Sequence, residues 1–396
     1  MLGEANNAEH RRARKYQPTT RAGVAGVTVF IISAAFIADV LMGYPLALEI
    51  WSRLRPRPVR KQFVVRTVSI LLPVHNGDRW LAGKLRNLAE LDYPPELIET
   101  IVISSASTDG TVAIARRAAG PRLRVIELDR PGKAAALNAG LALATGEILF
   151  LVDVRQSIER DSLRTLVAGF ADARVGVVSG ELVIRDGPSH EESSVGAYWK
   201  YEKLIRARQS RIDSVPGATG AIYAMRRSLT RPLPPGTLVD DMFLPLCAYM
   251  QGFRIVWDPG AKAFDIPASL HTEFRRKVRT LAGVYQIVGF FPRLLVPNHR
   301  LWIHFVSHKL GRLLLPYALV TVLISCFWLP WPLSAIALAA QAGLYGLAAL
   351  DGLVDDRSSL KRVSSPARTF VALMAAALCA SSILFVPPDN LWKPTR

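Results

Sequence analysis

Hydrophobic residues are patterned in two ways along this chain. From Val24 to Ile50, and again from Leu313 to Leu329, Leu333 to Leu350 and Thr369 to Val386, apolar residues run almost unbroken. A bilayer core is spanned by a helix of about 17–25 such residues, so these four stretches are expected to be transmembrane helices. Between Val68 and Pro267 the pattern changes: short apolar runs alternate with stretches of helical periodicity. Strands are expected at Val68–Val74, Thr100–Ser104, Leu123–Leu128 and Ile148–Val152, and helices at Arg79–Leu91, Thr108–Ala119 and Lys133–Ala144. Strands separated by helices predict an α/β domain on a parallel sheet. Its second half holds a strand at Val175–Ile184, a polar helix around Tyr198–Ser210, a Gly-rich hairpin at Gly217–Gly220 and a helix opening at Asp240-Asp241.

This divides the chain into a basic tail (1–23), a first span (24–50), a basic linker (51–67), the α/β domain (68–279), amphipathic interfacial helices (280–312), three further spans (313–386) and a short tail (387–396). Within the amphipathic part, Leu281 to Val296 is expected to lie flat on the membrane. A signal peptide is the rival explanation of the first span, but its apolar run is longer than the usual ~7–15 residues and no small-residue cleavage site closes it.

Charge orients these pieces. The chain carries 49 Lys and Arg against 32 Asp and Glu, a formal charge of +17. Arg53, Arg55, Arg57, Arg60 and Lys61 follow the first span, and Arg357, Lys361, Arg362 and Arg368 lie between the third and fourth. Basic flanks favour the cytosol, which puts the α/β domain on the cytosolic face of a bacterial-type plasma membrane. The tail residues Arg11, Arg12, Arg14, Lys15 and Arg21 resist that topology: the tail is translocated against the rule, or the first segment lies in the interface. The charge does not imply nucleic acid. No zinc pattern or basic-aromatic RNA motif occurs, and much of the excess adjoins the spans, where anionic lipid attracts it. Cys247, Cys326 and Cys379 are too scattered for disulfides or a metal cluster.

In an open α/β sheet, ligands bind beyond the carboxyl ends of the strands. The residues there are Pro73-Val74-His75-Asn76, Ser105 to Asp109, Asp129 to Lys133, and Asp153-Val154-Arg155. They suit a nucleotide diphosphate: His75 to stack on a base, Lys133 to meet phosphate as a point charge, Asp153 to hold ribose or a metal. Singly each is weak, since a lysine opening a helix is more often solvated and an aspartate after a strand more often a cap.

As an ordered set they are specific. Val68-Ser-Ile-Leu-Leu-Pro-Val-His-Asn76, Ser107-Thr-Asp-Gly-Thr111, Gly132-Lys-Ala-Ala-Ala-Leu-Asn138, Asp153, Gly217-Ala-Thr-Gly220 and Asp240-Asp241 resemble the inverting family-2 glycosyltransferases. The likeness spans roughly Val68 to Arg279 and extends to the flanking membrane helices of relatives of cellulose, chitin and hyaluronan synthases. It implies a GT-A (Rossmann-like) cytosolic domain joined to transmembrane α-helices, a nucleotide-sugar donor with UDP as its expected nucleotide, and a lipid-linked or glycan acceptor. By the same resemblance Pro73, Val74, His75 and Ser105 face the nucleotide, and Lys133 lies near the diphosphate. Asp153 is the first Asp of an Asp-x-Asp motif that holds Mg2+ or Mn2+. Asp241 is the catalytic base, with Asp240, Gly217, Thr219, Arg276 and Arg279 around acceptor and diphosphate.

The chain departs from the family at three places. Ser105 replaces an aspartate that pairs with the uracil ring. Arg155 replaces the second metal-binding aspartate. It is expected either to bind the diphosphate itself with its planar fork, or to pair with Glu159 or solvent while Asp153 alone keeps a metal. The Gln-x-x-Arg-Trp motif of processive synthases becomes Arg276-Lys277-Val278-Arg279-Thr280, without its Trp. Transfer of one or few sugars is therefore favoured over a processive synthase. A non-catalytic scaffold is the other alternative, but a decayed site has no reason to keep Lys133, Asp153 and Asp241.

Overall fold

The computed structural model describes residues 21–184, 190–266, 270–355 and 358–391, so the basic tail falls outside the described residues except for its last three. In chain order the elements are α1 (Gly23–Leu54), β1 (Val68–Val74), α2 (Asp78–Ala89), β2 (Ile98–Ser105), α3 (Thr111–Ala118), β3 (Leu123–Leu128), α4 (Lys133–Leu143), β4 (Ile148–Val152) and β5 (Ser157–Ile158). There follow α5 (Ser162–Ala168), β6 (Val175–Ile184), α6 (His190–Ile212), β7 (Ile222–Arg226), α7 (Asp240–Met250), β8 (Arg254–Asp265) and α8 (Leu270–Phe290). The last three are α9 (His304–Trp328), α10 (Leu333–Leu353) and α11 (Lys361–Leu384).

The eight strands form one sheet in the order β3-β2-β1-β4-β7-β6-β8-β5. β1 is apolar on both faces because both are covered. Ile70 and Leu72 point into one core with Val102 and Phe150, while Leu71 points into the other with Ile101, Ile103 and Leu137. The first four strands are parallel, as the sequence pattern predicts. The second half is not: β7 runs antiparallel to both β4 and β6, and β5 antiparallel to β8. The sheet is therefore mixed. The Gly217–Gly220 turn enters β7 beside the carboxyl end of β4, and residues 227–239 bring the chain back so that α7 starts against that turn.

The four long apolar helices differ in bounds from the pattern. α1 runs on to Leu54, with a π-helical turn at Asp39–Gly43, and α9 begins at His304 instead of Leu313. The stretch Leu281–Val296 is not one flat amphipathic segment. Pro292, which has no N–H to donate, is followed by a short 3-10 turn, and α8 ends before it at Phe290. Ala282, Val284 and Ile287 of α8 are fully buried in the domain core, and α8 packs on α11. Linker charges are likewise taken up by protein. Lys61 pairs with Asp258 at 2.6 Å and Arg57 with Asp213 at 3.5 Å, while the buried Arg254 guanidinium donates to the carbonyls of Arg57, Ser210 and Asp213.

Candidate active site

The site grows from the loops that end β1, β2 and β4 and from the turn before α7. After β1, Asn76 adopts a left-handed backbone (φ 49°), a conformation Asn tolerates well. Its Oδ1 accepts from Thr108 N at 2.8 Å, and its N–H donates to Ser107 Oγ at 3.1 Å. Asp109 accepts from the N–H groups of Asp78 and Thr111, and Thr111 Oγ1 accepts from Gly77 N. Burial raises the Asp109 carboxyl, but these donors outweigh it and hold the group below its ordinary range. The Ser107–Thr111 motif thus spends its polar atoms on the shape of its own loop.

The neighbouring motif residues behave alike. Val74 is buried in the core, and His75 Nδ1 donates to the Ser105 carbonyl at 2.6 Å. Ser105 is buried as well, and its Oγ accepts from Gly132 N at 2.8 Å, fixing the turn before α4. Asn138 of α4 makes a two-way pair with the Leu233 backbone, at 2.9 and 2.8 Å, which anchors the loop leading to α7.

At the start of α4 the character changes. Lys133 Nζ lies 3.0 Å from Asp153 Oδ1 and 3.2 Å from Asp240 Oδ1, joining the end of β4 to the first turn of α7. Burial works against the lysine's charge, yet Asp153, Asp240 and Asp241 together raise its proton affinity. Next to it Asp241 has the opposite problem. Withdrawal from water, then the like charge of Asp240, push its carboxyl up to about 6, against the pull of Lys133, Arg206 and Lys309. Its Oδ2 lies where a side chain at Gly220 would stand, 2.9 Å from that position's Cβ, and a Cβ at Gly217 would meet Met242 Cγ at 2.7 Å. The hairpin glycines therefore let α7 bring Asp241 against the turn, which the Ala218 N to Asp241 O bond (2.7 Å) secures.

Lys133, Asp153, Asp240, Asp241, Thr219, Arg276 and Arg279 line one cavity of about 330 Å3. Gly217, Pro73, Val74, His75, Ser105 and Arg155 are not among its lining residues. Thr219 is held rather than free: it donates to the Gly180 carbonyl at 2.7 Å and accepts from Arg206 at 2.7 Å.

Arg155 does not pair with Glu159. It donates to Asp265 Oδ2 at 2.5 Å, at the far end of β8, and Gln156 donates to the same oxygen at 2.8 Å. Glu159 pairs instead with Lys262 at 3.2 Å. A divalent cation needs several hard oxygen ligands. Here the β4 end offers Asp153, already engaged by Lys133, and a guanidinium where a second carboxylate would stand. Among the described residues no three His, Cys, Asp or Glu side chains converge as a cation site. The β4 end thus offers one carboxylate, Asp153, toward Mg2+ or Mn2+, and the remaining ligands would come from the donor's diphosphate and water.

Sequence reasoning missed several residues of the site. Arg206 and Glu202 sit one turn apart on α6, which reads only as polar. Glu202 is buried; burial alone would raise its carboxyl, but His308 and Arg312 hold it well below the ordinary range. Lys309 and Arg312 fall in the stretch expected as amphipathic interfacial helices (280–312), yet they line the cavity from α9. Lys84, pushed down to about 7 by burial against the pull of Asp153, donates to the Gln156 carbonyl at 2.8 Å and holds the loop after β4.

Known proteins match this arrangement. Residues 69–233 match the family described as Glycosyl transferase family 2. The chain is 24% identical over 294 residues to the probable glycosyltransferase YdaM of Bacillus subtilis, covering 66% of this chain and 67% of that one. It is 24% identical over 342 residues to the beta-monoglucosyldiacylglycerol synthase of Synechocystis, covering 80% of this chain and 69% of that one. The chain thus spans about two thirds of the length of these relatives. Among solved structures it shares its fold with the mannosyltransferase PcManGT of Pyrobaculum calidifontis, determined with GDP-Man and Mn2+. That match has a TM-score of 0.69 at 24% identity and covers 90% of this chain and 99% of the other. The chain carries a family-2 glycosyltransferase domain of GT-A fold, and it is a glycosyltransferase.

Proposed function

We propose that this glycosyltransferase is embedded in the bacterial inner membrane and acts there by inversion. It moves a sugar from a nucleotide sugar, a UDP-sugar first among candidates, to a hydroxyl of a lipid-linked or glycan acceptor in envelope or extracellular polysaccharide synthesis. The observation that carries this reading is Asp241: a carboxylate pushed up to about 6, on the wall of a cavity that also holds the Lys133–Asp153 pair. The acceptor oxygen attacks the anomeric carbon, its proton passes to Asp241, and the bond to the diphosphate oxygen breaks. A base of this strength is ionised near neutral pH yet retains proton affinity, the balance general-base catalysis needs. Lys133 meets the charge that gathers on the leaving diphosphate. Neither step is routed through a metal.

Membrane embedding is supported by α1 and α10, each only about 6% buried within the protein over its most apolar stretch. Side chains such as Ile31, Ile32, Met42, Leu46 and Ile336 stay bare, and such a surface is stable against lipid, not water. Thr280, standing where processive synthases carry a Trp, favours one or few additions over a processive synthase. Purified protein in lipid, given a panel of nucleotide sugars with membrane extract as acceptor, should release nucleoside diphosphate from one donor and lengthen the acceptor by one or few sugars. Silence across the panel would support a non-catalytic scaffold, and long polymer a processive synthase.

A further inference from the structure

The part of the cavity lined by α8, α9 and α11 is built unlike a sugar site. Most of its cations are already held: Arg206 by Thr219, Lys203 by Glu181, Arg276 by Glu273, and Arg312 by Glu202 at 2.5 Å. Two are not. The Nε of Arg279 is buried without a hydrogen-bond partner, and among the described residues Lys309 makes no hydrogen bond or ion pair. Burying the Arg279 Nε–H donor without a partner is costly, and the half-buried Lys309 adds a second cation to the same cavity, so this is a place suited to an anion. The wall beside it is apolar and belongs to a membrane-spanning helix: Leu373, Met374 and Ala377 of α11, together with Leu281 and Val284 of α8.

From the juxtaposition of Arg279, Lys309 and this apolar wall we infer that the acceptor is an anionic lipid carrying both a phosphate and a hydroxyl. The phosphate sits between Arg279 and Lys309, the chains lie against α11, and the hydroxyl reaches Asp241. This rests on the proposed role of Asp241 and names the acceptor class for it. A phosphate nucleophile would need no base, so the presence of Asp241 points to a hydroxyl on the same headgroup. Filling the anion site would also mask Lys309, which weakens Asp241 as a base while it is bare, and so strengthen the base once the acceptor is bound.

The test is equilibrium binding to the full chain in detergent micelles, with fluorescent short-chain phosphatidylglycerol, matched diacylglycerol and soluble glycerol phosphate as probes. Phosphatidylglycerol should bind at least about tenfold tighter than either of the others, the gain of a charge-assisted pair. Arg279→Gln and Lys309→Gln should each remove most of that preference. Equal binding of phosphatidylglycerol and diacylglycerol would overturn the inference, because no phosphate site would then exist. Glycerol phosphate binding as tightly as the lipid would make the occupant soluble and overturn it equally. Stoichiometric displacement of the lipid by UDP would give both cations to the donor, with the same consequence. These comparisons need only the wild-type protein, so misfolding of a variant does not obscure them. Nucleotide-sugar binding in the same micelles separates the two proposals: its loss strikes the proposed function, whereas its retention without lipid discrimination strikes this inference alone.

Discussion

The two ends of the carboxyl edge of the sheet are built from equally recognisable motifs but use them differently. At the β1–β2 end, Asn76, Ser107, Asp109, Thr111 and Ser105 are paired almost wholly with backbone. At the β4–α7 end, Lys133, Asp153, Asp240 and Asp241 are paired with one another and face a cavity. The first end holds a loop in shape, and the second holds charge in readiness. A motif match does not distinguish these uses; the partner of each polar atom does.

That contrast can be broken most sharply at Asp241. Asp241→Asn should lower kcat by about 10²–10⁴ while leaving donor affinity nearly unchanged, as measured by transfer rate and nucleotide-sugar titration. The same variant should be the more stable protein at neutral pH. A carboxyl raised from 3.8 to about 6 destabilises the fold only when ionised, so the penalty is complete above about pH 6 and absent below about pH 4. Thermal melting of Asp241→Asn should exceed wild type at pH 7.5 and match it at pH 4.

Lys133→Gln comes next, with a loss of about 10² in kcat/KM for the donor, because it removes a cation from the leaving diphosphate and unties β4 from α7. A smaller effect is expected at Arg155. Arg155→Gln should destabilise the protein by about 1–3 kcal/mol in denaturant titration, since it leaves the buried Asp265 carboxylate with Gln156 alone. Wild-type activity should survive chelator within about twofold, and loss of activity restored by Mg2+ or Mn2+ would show that the donor's own oxygens complete a metal site that the side chains do not. The smallest change belongs to the quiet end: Asp109→Ala should cost about 1 kcal/mol in stability and leave kcat within about threefold.

The sequence pattern locates β1, β3, β4 and β6 to the residue because these strands are apolar runs closed by Pro, Gly or charged residues. β8 escapes it: its Asp-Pro-Gly interruption looks like a turn but forms an irregularity in the ladder with β6. With β8 unseen, Asp265 could not be found as the partner of Arg155, from which it is 110 residues distant. Lys309 and Arg312 lie in the stretch expected as amphipathic interfacial helices, since no local signal says that α9 starts early enough to put them into a cavity shared with α7. What local spacing encodes was readable, and what depends on the meeting of distant elements was not.

The most direct measurement is the pH dependence of single-turnover sugar transfer by wild type and Asp241→Asn. Wild type should gain rate about tenfold per pH unit below an apparent pKa near 6 and level off above it, while the residual rate of the variant stays flat. A wild-type profile that is flat across this range, or a transition near 6 that persists in Asp241→Asn, would contradict the placement of the base.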